Sequence, residues 1–285
     1  MDLYLVIVII MLALAVSGLI VGVANDAVNF LNSALGSKVA PRYVIMTVAS
    51  VGIIVGALTS SGMMEVARSG VFHPEMFTFS EVMLLFLAVM FTNVILLDIF
   101  NTLGMPTSTT VSLVFGLLGA AVGICIFKIS SGALATLPDG TKATMGDMIN
   151  TGNAMVIIGG ILLSVVIAFV FGTVIMYITR LIFSFRYKKN LKTFGSVWCG
   201  IALTAITYFA VFKGLKGTNI IPADWMAWME THKMIFLGVL LVGWSFIMFL
   251  LYLVKVNILK ITVLAGTFSL ALAFAGNDLV NFIGV

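Results

Sequence analysis

Residues 3–24 read LYLVIVIIMLALAVSGLIVGVA, an apolar stretch without a single charge. A helix needs about 20 mostly apolar residues to cross the hydrocarbon core of a bilayer. This run has that length, so it reads as a membrane-spanning helix. Working outward, residues 40–60, 82–103, 104–127, 153–179, 196–212, 233–254 and 258–275 form further apolar runs. They are continuous, whereas the strands of a membrane barrel alternate apolar and polar residues, so helices are expected throughout. The first run is not read as a signal peptide. It opens Met-Asp, has no Lys or Arg before Lys38, and is longer than a signal's apolar region.

Composition points the same way. Of the 285 residues, 61% are apolar and 9% charged, against about 25% charged in an ordinary soluble domain. So few charges cannot clothe a water-facing surface. The expected fold is therefore an all-α integral membrane protein, multi-pass, in the cell membrane, with the lipid bilayer as its surroundings. The net charge of +4 does not signal nucleic acid, because the basic residues lie between the apolar runs. Cys125 and Cys199 lie inside apolar runs and form no metal-ligand pattern, so they read as packing residues.

Arg180, Arg186, Lys188, Lys189 and Lys192 form the densest basic cluster, with no acid among them. By the positive-inside rule that connection is cytoplasmic. Counting crossings outward from it puts the amino terminus outside and the turns at Lys38/Arg42 and Lys255/Lys260 inside. Inside connections then hold nine Lys or Arg and no acid; outside ones hold six Lys or Arg and eight Asp or Glu. Residues 128–152 and 213–232 are the long polar connections, the second carrying Trp225 and Trp228.

Two polar interruptions of the apolar pattern resemble each other. Asn25-Asp26-Ala27-Val28-Asn29-Phe30 and Asn277-Asp278-Leu279-Val280-Asn281-Phe282 share the pattern Asn-Asp-x-Val-Asn-Phe. An Asp at the bilayer centre costs roughly 2.5–3.5 kcal/mol on insertion scales, so two such clusters imply a use. The plainer reading is that each is a polar patch bonding neighbouring helices. On the crossing count the two copies are inverted in the membrane, as in secondary transporters. On a helix, Asn25, Asp26 and Asn29 fall at i,i+3 and i,i+4 spacings and aim their oxygens at one point. Such oxygens suit a hard cation, sodium among them. Gly22 and Gly276 would allow the helix to break there and free carbonyl ligands. The chain accordingly divides into a first repeat (1–212), a connecting region (213–257) and the start of a second, inverted repeat (258–285).

Residues 104–112 read Gly-Met-Pro-Thr-Ser-Thr-Thr-Val-Ser. Here Pro106 would open a half-helix, and Thr107, Ser108, Thr109 and Thr110 would add hydroxyls to the free amides of its first turn. That makes an anion site without fixed positive charge. The alternative is a Pro-kinked helix whose hydroxyls bond back to its own carbonyls. Lys and Arg are absent from the middle of every apolar run. An anion held there must be offset by helix dipoles and by a cation that travels with it, which gives coupling a physical reason. Asp98 and Asn101, at i,i+3, either join the cation site or pair with a neighbouring helix.

On these motifs the chain resembles the inorganic phosphate transporters, or sodium/phosphate symporters. Gly22 to Asn29 with Gly36-Ser37, and Ala275 to Asn281, resemble that family's paired signatures. Gly104 to Thr110 resembles its Gly-x-Pro-x-Ser-Thr-Thr hairpin tip. The resemblance implies an inverted-repeat fold with broken helices and a re-entrant hairpin, and symport of phosphate with sodium or protons by alternating access. It implies that Ser108, Thr109 and Thr110 contact phosphate, and that Asn25, Asp26, Asn277 and Asp278 line the phosphate and cation sites. Asn32 and Val111 depart from residues the family often has there, Gly and His. The family pattern continues past the second signature with a further hairpin, so the chain is expected to be a fragment or truncated product.

Three rivals are set against this reading. A sulfate or other oxyanion permease shares the anion site, but phosphate can donate a hydrogen bond to Asp26 or Asp278, whereas fully ionised sulfate cannot. An intramembrane aspartyl enzyme would need those carboxylates about 3 Å apart, as in aspartic proteases. His73 and His232 lie in connections, so no histidine-based catalytic arrangement reaches the midplane. A channel would not call for paired inverted motifs. No cofactor is expected, the coupling ion being sodium or a proton, and the oligomeric state is open, a homodimer included.

Overall fold

A computed structural model describes residues 3–59, 70–133, 141–183, 187–214 and 221–276. These are helical almost throughout. In chain order the elements are α1 (Leu3–Gly36), α2 (Arg42–Thr59), a 3-10 turn at Pro74–Met76, α3 (Phe79–Thr102) and α4 (Thr109–Ser131). There follow a single turn α5 (Met145–Met148), α6 (Thr151–Phe183) and α7 (Tyr187–Phe209), which runs on as π-helix over Ala210–Gly214. The last are α8 (Ala223–Thr231), α9 (Lys233–Leu253) and α10 (Ile258–Phe274). Among the described residues, 6 helices are long and apolar enough to cross a membrane: α1, α3, α4, α6, α7 and α9. The helices α2 and α10 are apolar but shorter.

The exposed surface is apolar where a soluble protein's would be charged. Along α6, Val156, Leu162, Phe169, Phe171 and Leu181 are all exposed, and Ala154 is the buried position. In water such a face would be a large uncompensated apolar patch. Against lipid tails it costs nothing, while the helix satisfies its own backbone groups.

The chain forms two compact units: Met1–Val28 with Ser61–Val165 and Asn277–Val285, and Asn29–Ser60 with Val166–Gly276. This division follows packing and is different in kind from the division by repeat; helices α1 and α6 each contribute to both units.

In the first unit, α3 and α4 form a hairpin. Its core is Leu85 and Val89 against Leu113, Val114, Leu117, Ala121 and Cys125, closed by Phe72, Phe77 and Met148. The flanking segments are stitched by an antiparallel bridge between Phe72 and Ile149, with the His73 amide donating to the Met148 carbonyl (2.9 Å). Each arm, of 24 and 23 residues, is about 35 Å long at 1.5 Å per residue. Either is therefore long enough to cross the roughly 30 Å core.

In the second unit, α7 packs against α9 and α10 around Cys199, Leu203, Met248 and Ile258. Glycines bring backbones together. A Cβ on Gly52 of α2 would lie 2.6 Å from the Phe268 carbonyl oxygen of α10, and one on Gly56 would lie 2.8 Å from the Ala275 Cβ.

Two expectations change. The apolar run 104–127 does not begin a helix at its first residues: the chain unwinds after α3, and α4 starts at Thr109. Nor is α1 broken at Gly22; it is one helix from Leu3 to Gly36. Its amides keep their i−4 partners, and the polar side chains project from an intact backbone. At Ala275–Gly276, by contrast, the α pattern of α10 gives way to π-helix; the residues beyond Gly276, where a break would run, lie outside the described residues.

Candidate functional site

The site forms where α1 meets the unwound segment between α3 and α4. Helix α3 ends in a reversal at Gly104, whose φ of 68° suits a residue without Cβ. The Gly104 amide donates to the Asn101 carbonyl and the Met105 amide to the Phe100 carbonyl (3.0 and 2.9 Å), closing the helix end. Pro106 then keeps the chain extended, for it has no amide to donate and disfavours helix before it. Ser108 is the N-cap of α4: its side chain accepts from the Val111 amide at 3.3 Å. The Pro-kinked continuous helix is therefore not what the chain forms. The cap expected of a Ser/Thr run is present, two residues beyond the proline.

Asn25 ties this segment to α1. Its Nδ2 donates to Asn101 Oδ1 (2.8 Å) and to the Met105 carbonyl (3.2 Å). Its Oδ1 accepts from the Thr107 amide (2.8 Å). A backbone amide on one side and a backbone carbonyl on the other fix which way the side-chain amide faces. Asn101 in turn donates from Nδ2 to the Val21 carbonyl (3.0 Å). Asn25 is 5% exposed and the adjacent Asp26 4%. Thr109, 1% exposed, has a hydroxyl oxygen with no hydrogen-bond partner among the described residues. At that position the oxygen lies in the first turn of a 23-residue helix, whose dipole presents roughly half a positive charge there.

The structure thus brings Asn25 to the segment that leads into the Ser108 cap, with buried Asp26 the next residue of α1 and Thr110 half-buried in the first turn of α4. It does not bring Asp98 in: that side chain is exposed on α3 and makes no hydrogen bond or ion pair among the described residues. Asn29 is exposed one turn further along α1. Asn277, Asp278 and Asn281 lie outside the described residues.

Two features were not read from the sequence. The first is the identity of Asn101's partner, left between the cation site and a neighbouring helix by the sequence and supplied by Asn25 of α1. Two asparagines inside apolar runs do seek partners in a membrane, and that signal was present. The second is Lys128. It stands inside α4, 5% exposed, with Nζ donating to Glu81 Oε2 (3.0 Å) and to the Met76 carbonyl (3.1 Å). It sits 5.6 Å above the Phe77 ring. Nineteen residues of helix, about 29 Å at 1.5 Å each, separate it from Thr109. It fastens the far end of the hairpin and offers no charge to the cap.

Three comparisons with known proteins bear on this arrangement. A family model described as "Phosphate transporter family" matches residues 22–285. A protein of Thermococcus kodakarensis, "Putative phosphate permease TK2061", is 25% identical over 201 residues. That match covers 69% of this chain and 45% of the relative, so the chain spans about half the relative's length. A solved structure, "The sodium-dependent phosphate transporter", shares the fold with a TM-score of 0.56 at 15% identity, over 96% of this chain and 78% of that one.

Proposed function

The chain belongs to the phosphate transporter family, and from that premise we propose that it serves cation-coupled symport of inorganic phosphate by alternating access. One observation carries this reading: the buried Asn25–Asp26 step is hydrogen-bonded onto the segment that caps α4. A carboxylate and a helix N-terminus rich in hydroxyls are thereby held in one neighbourhood.

The anion is assigned to Thr107, Ser108, Thr109 and Thr110, with the Asp26 carboxylate accepting a hydrogen bond from hydrogenphosphate. That last contact favours phosphate over sulfate, which has no proton to give. The dipole of α4 and the hydroxyl donors offset part of the anion's charge. A cation at Asp26 offsets more and removes the repulsion between carboxylate and anion, so each ligand improves binding of the other. Couplings of this kind typically amount to about 1–3 kcal/mol.

Sodium is the first choice of cation, in keeping with the name of the structural neighbour. The second copy, Asn277, Asp278 and Asn281, is given the same role on its sequence alone. Asp98, exposed on α3 and outside this neighbourhood, is not assigned to the cation site. The orientation assigned is amino terminus outside, from the basic count.

The test is uptake of labelled phosphate into proteoliposomes carrying the full-length protein. A sodium gradient should drive uptake, and excess sulfate should leave it standing. Asp26→Asn should abolish sodium dependence; unchanged sodium dependence would remove Asp26 from the coupling role. Uptake abolished by sulfate would reassign the protein as a general oxyanion permease.

A further inference from the structure

The second unit gathers its basic residues at one end. Gly52 of α2 meets Phe268–Leu272 of α10, and Gly56 meets Leu272–Ala275, so the two helices run parallel and begin at the same end. Gly195 of α7 meets Ile258, the first residue of α10, which puts the start of α7 there too. Helix α9 runs antiparallel to α7, with Phe236 near its start meeting Phe212 edge-to-face and Met248 near its end packing beside Cys199. Its carboxyl end therefore joins the same group. The end of α6 is held to the start of α7 by Asn190, which donates to the Ile182 carbonyl, and by the Phe183–Trp198 ring pair.

That end carries Arg42, Lys188, Lys189, Lys192, Lys255 and Lys260, with Arg180 in the last turn of α6. The described acids of this unit, Asp224 and Glu230, are on α8, which leads into the opposite end of α9. Three of the helices beginning at the basic end, α2, α7 and α10, have no acid in the first turn. Each has Lys or Arg there instead: Arg42 in α2, Lys188 and Lys189 in α7, Lys260 in α10. A positive side chain at a helix N-terminus opposes the helix dipole. Three such termini side by side, each already favouring an anion, make an end that favours anions bound on it. Exposed aromatics stand beside the charges: Tyr43 next to Arg42, Tyr187 next to Lys188, and Phe194. Aromatic rings flanking charges at the ends of apolar helices mark the headgroup level of a membrane.

We propose that this end of the second unit is a docking surface for anionic phospholipid headgroups, whose phosphodiesters lie on the first turns of α2, α7 and α10. The lipid is preferred over a soluble acidic partner because the charges sit at the headgroup level with interleaved exposed rings. Basic clusters beside membrane helices recognise anionic lipids in this way. The proposal rests on the membrane-spanning fold and not on the transport reading.

The test is lipid retention by the purified full-length protein, measured by native mass spectrometry after incubation with phosphatidylglycerol or phosphatidylcholine vesicles. Wild type should retain phosphatidylglycerol at least tenfold over phosphatidylcholine. Lys188→Gln, Lys189→Gln, Lys192→Gln together should lower that retention roughly ten- to hundredfold. Lys233→Gln, at the opposite end, should leave it unchanged. If the triple variant fails to fold, the Lys255→Gln, Lys260→Gln pair is read by the same criterion. Equal retention of the two lipids, or full retention by a folded variant, overturns the proposal. Displacement of phosphatidylglycerol by millimolar inorganic phosphate also overturns it, since the surface would then take free phosphate.

Discussion

At the scale of single residues, Asn25 spends its amide on structure. Both Nδ2 hydrogens and one Oδ1 lone pair are engaged with Asn101, Met105 and Thr107, which leaves one lone pair of Oδ1 for a ligand. Each such bond contributes about 0.5–1.5 kcal/mol net, and an abandoned partner costs more. Asn25→Ala should therefore destabilise the full-length protein by about 2–4 kcal/mol, read as a lower melting temperature in detergent. It should also raise KM for phosphate more than it lowers kcat, because the cap of α4 loses its anchor. Asn101→Ala breaks two of the four bonds and should cost less, about 1–2 kcal/mol. Equal melting temperatures for wild type and Asn25→Ala would mean the observed tie carries no load.

Elements show where backbone, not side chain, sets the limits. Gly104 has open space around a would-be Cβ, so Gly104→Ala meets no clash and costs only the left-handed strain, about 1–2 kcal/mol. Gly56→Leu is different in kind. Its side chain would drive α2 away from Leu272 and Ala275, a small-to-large change in a tight crossing. Loss of folded yield is expected for Gly56→Leu and near-normal yield for Gly104→Ala, compared by size-exclusion chromatography. The far end of the α3–α4 hairpin depends on Lys128. Removing one partner of a buried ion pair typically costs about 3–5 kcal/mol; here Glu81 keeps a quarter of its side-chain surface exposed, so Lys128→Ala should cost nearer the lower figure. Lys128→Ala, Glu81→Gln together should recover part of the loss, measured by thermal unfolding.

For the whole molecule, the second unit orders its charges along one axis. Lys189→Cys should therefore be labelled by an impermeant maleimide from the cytoplasmic side of oriented vesicles, and Thr231→Cys from the opposite side. The reverse pattern would overturn the orientation count, and labelling of both from one side would overturn the opposition of the two ends. The buried Cys125 and Cys199 keep the background low.

Much of this protein was legible in local chemistry. The spans follow from length and hydropathy, because transfer of a helix into lipid is a sum over its own residues. The basic turns, the twin Asn-Asp patterns and the Pro106 interruption are likewise properties of adjacent residues. The tertiary structure alone decided that Asn25 binds residues 76 to 82 positions away and that α1 stays whole at Gly22. It alone decided that α4 waits until Thr109, and that Lys128 is buried on Glu81 while Asp98 faces outward. Within an apolar run every direction is equally greasy, so hydropathy does not say which polar side chain meets which. That choice belongs to packing, where an amide left without a partner in lipid is expensive and one met by a distant carbonyl is not.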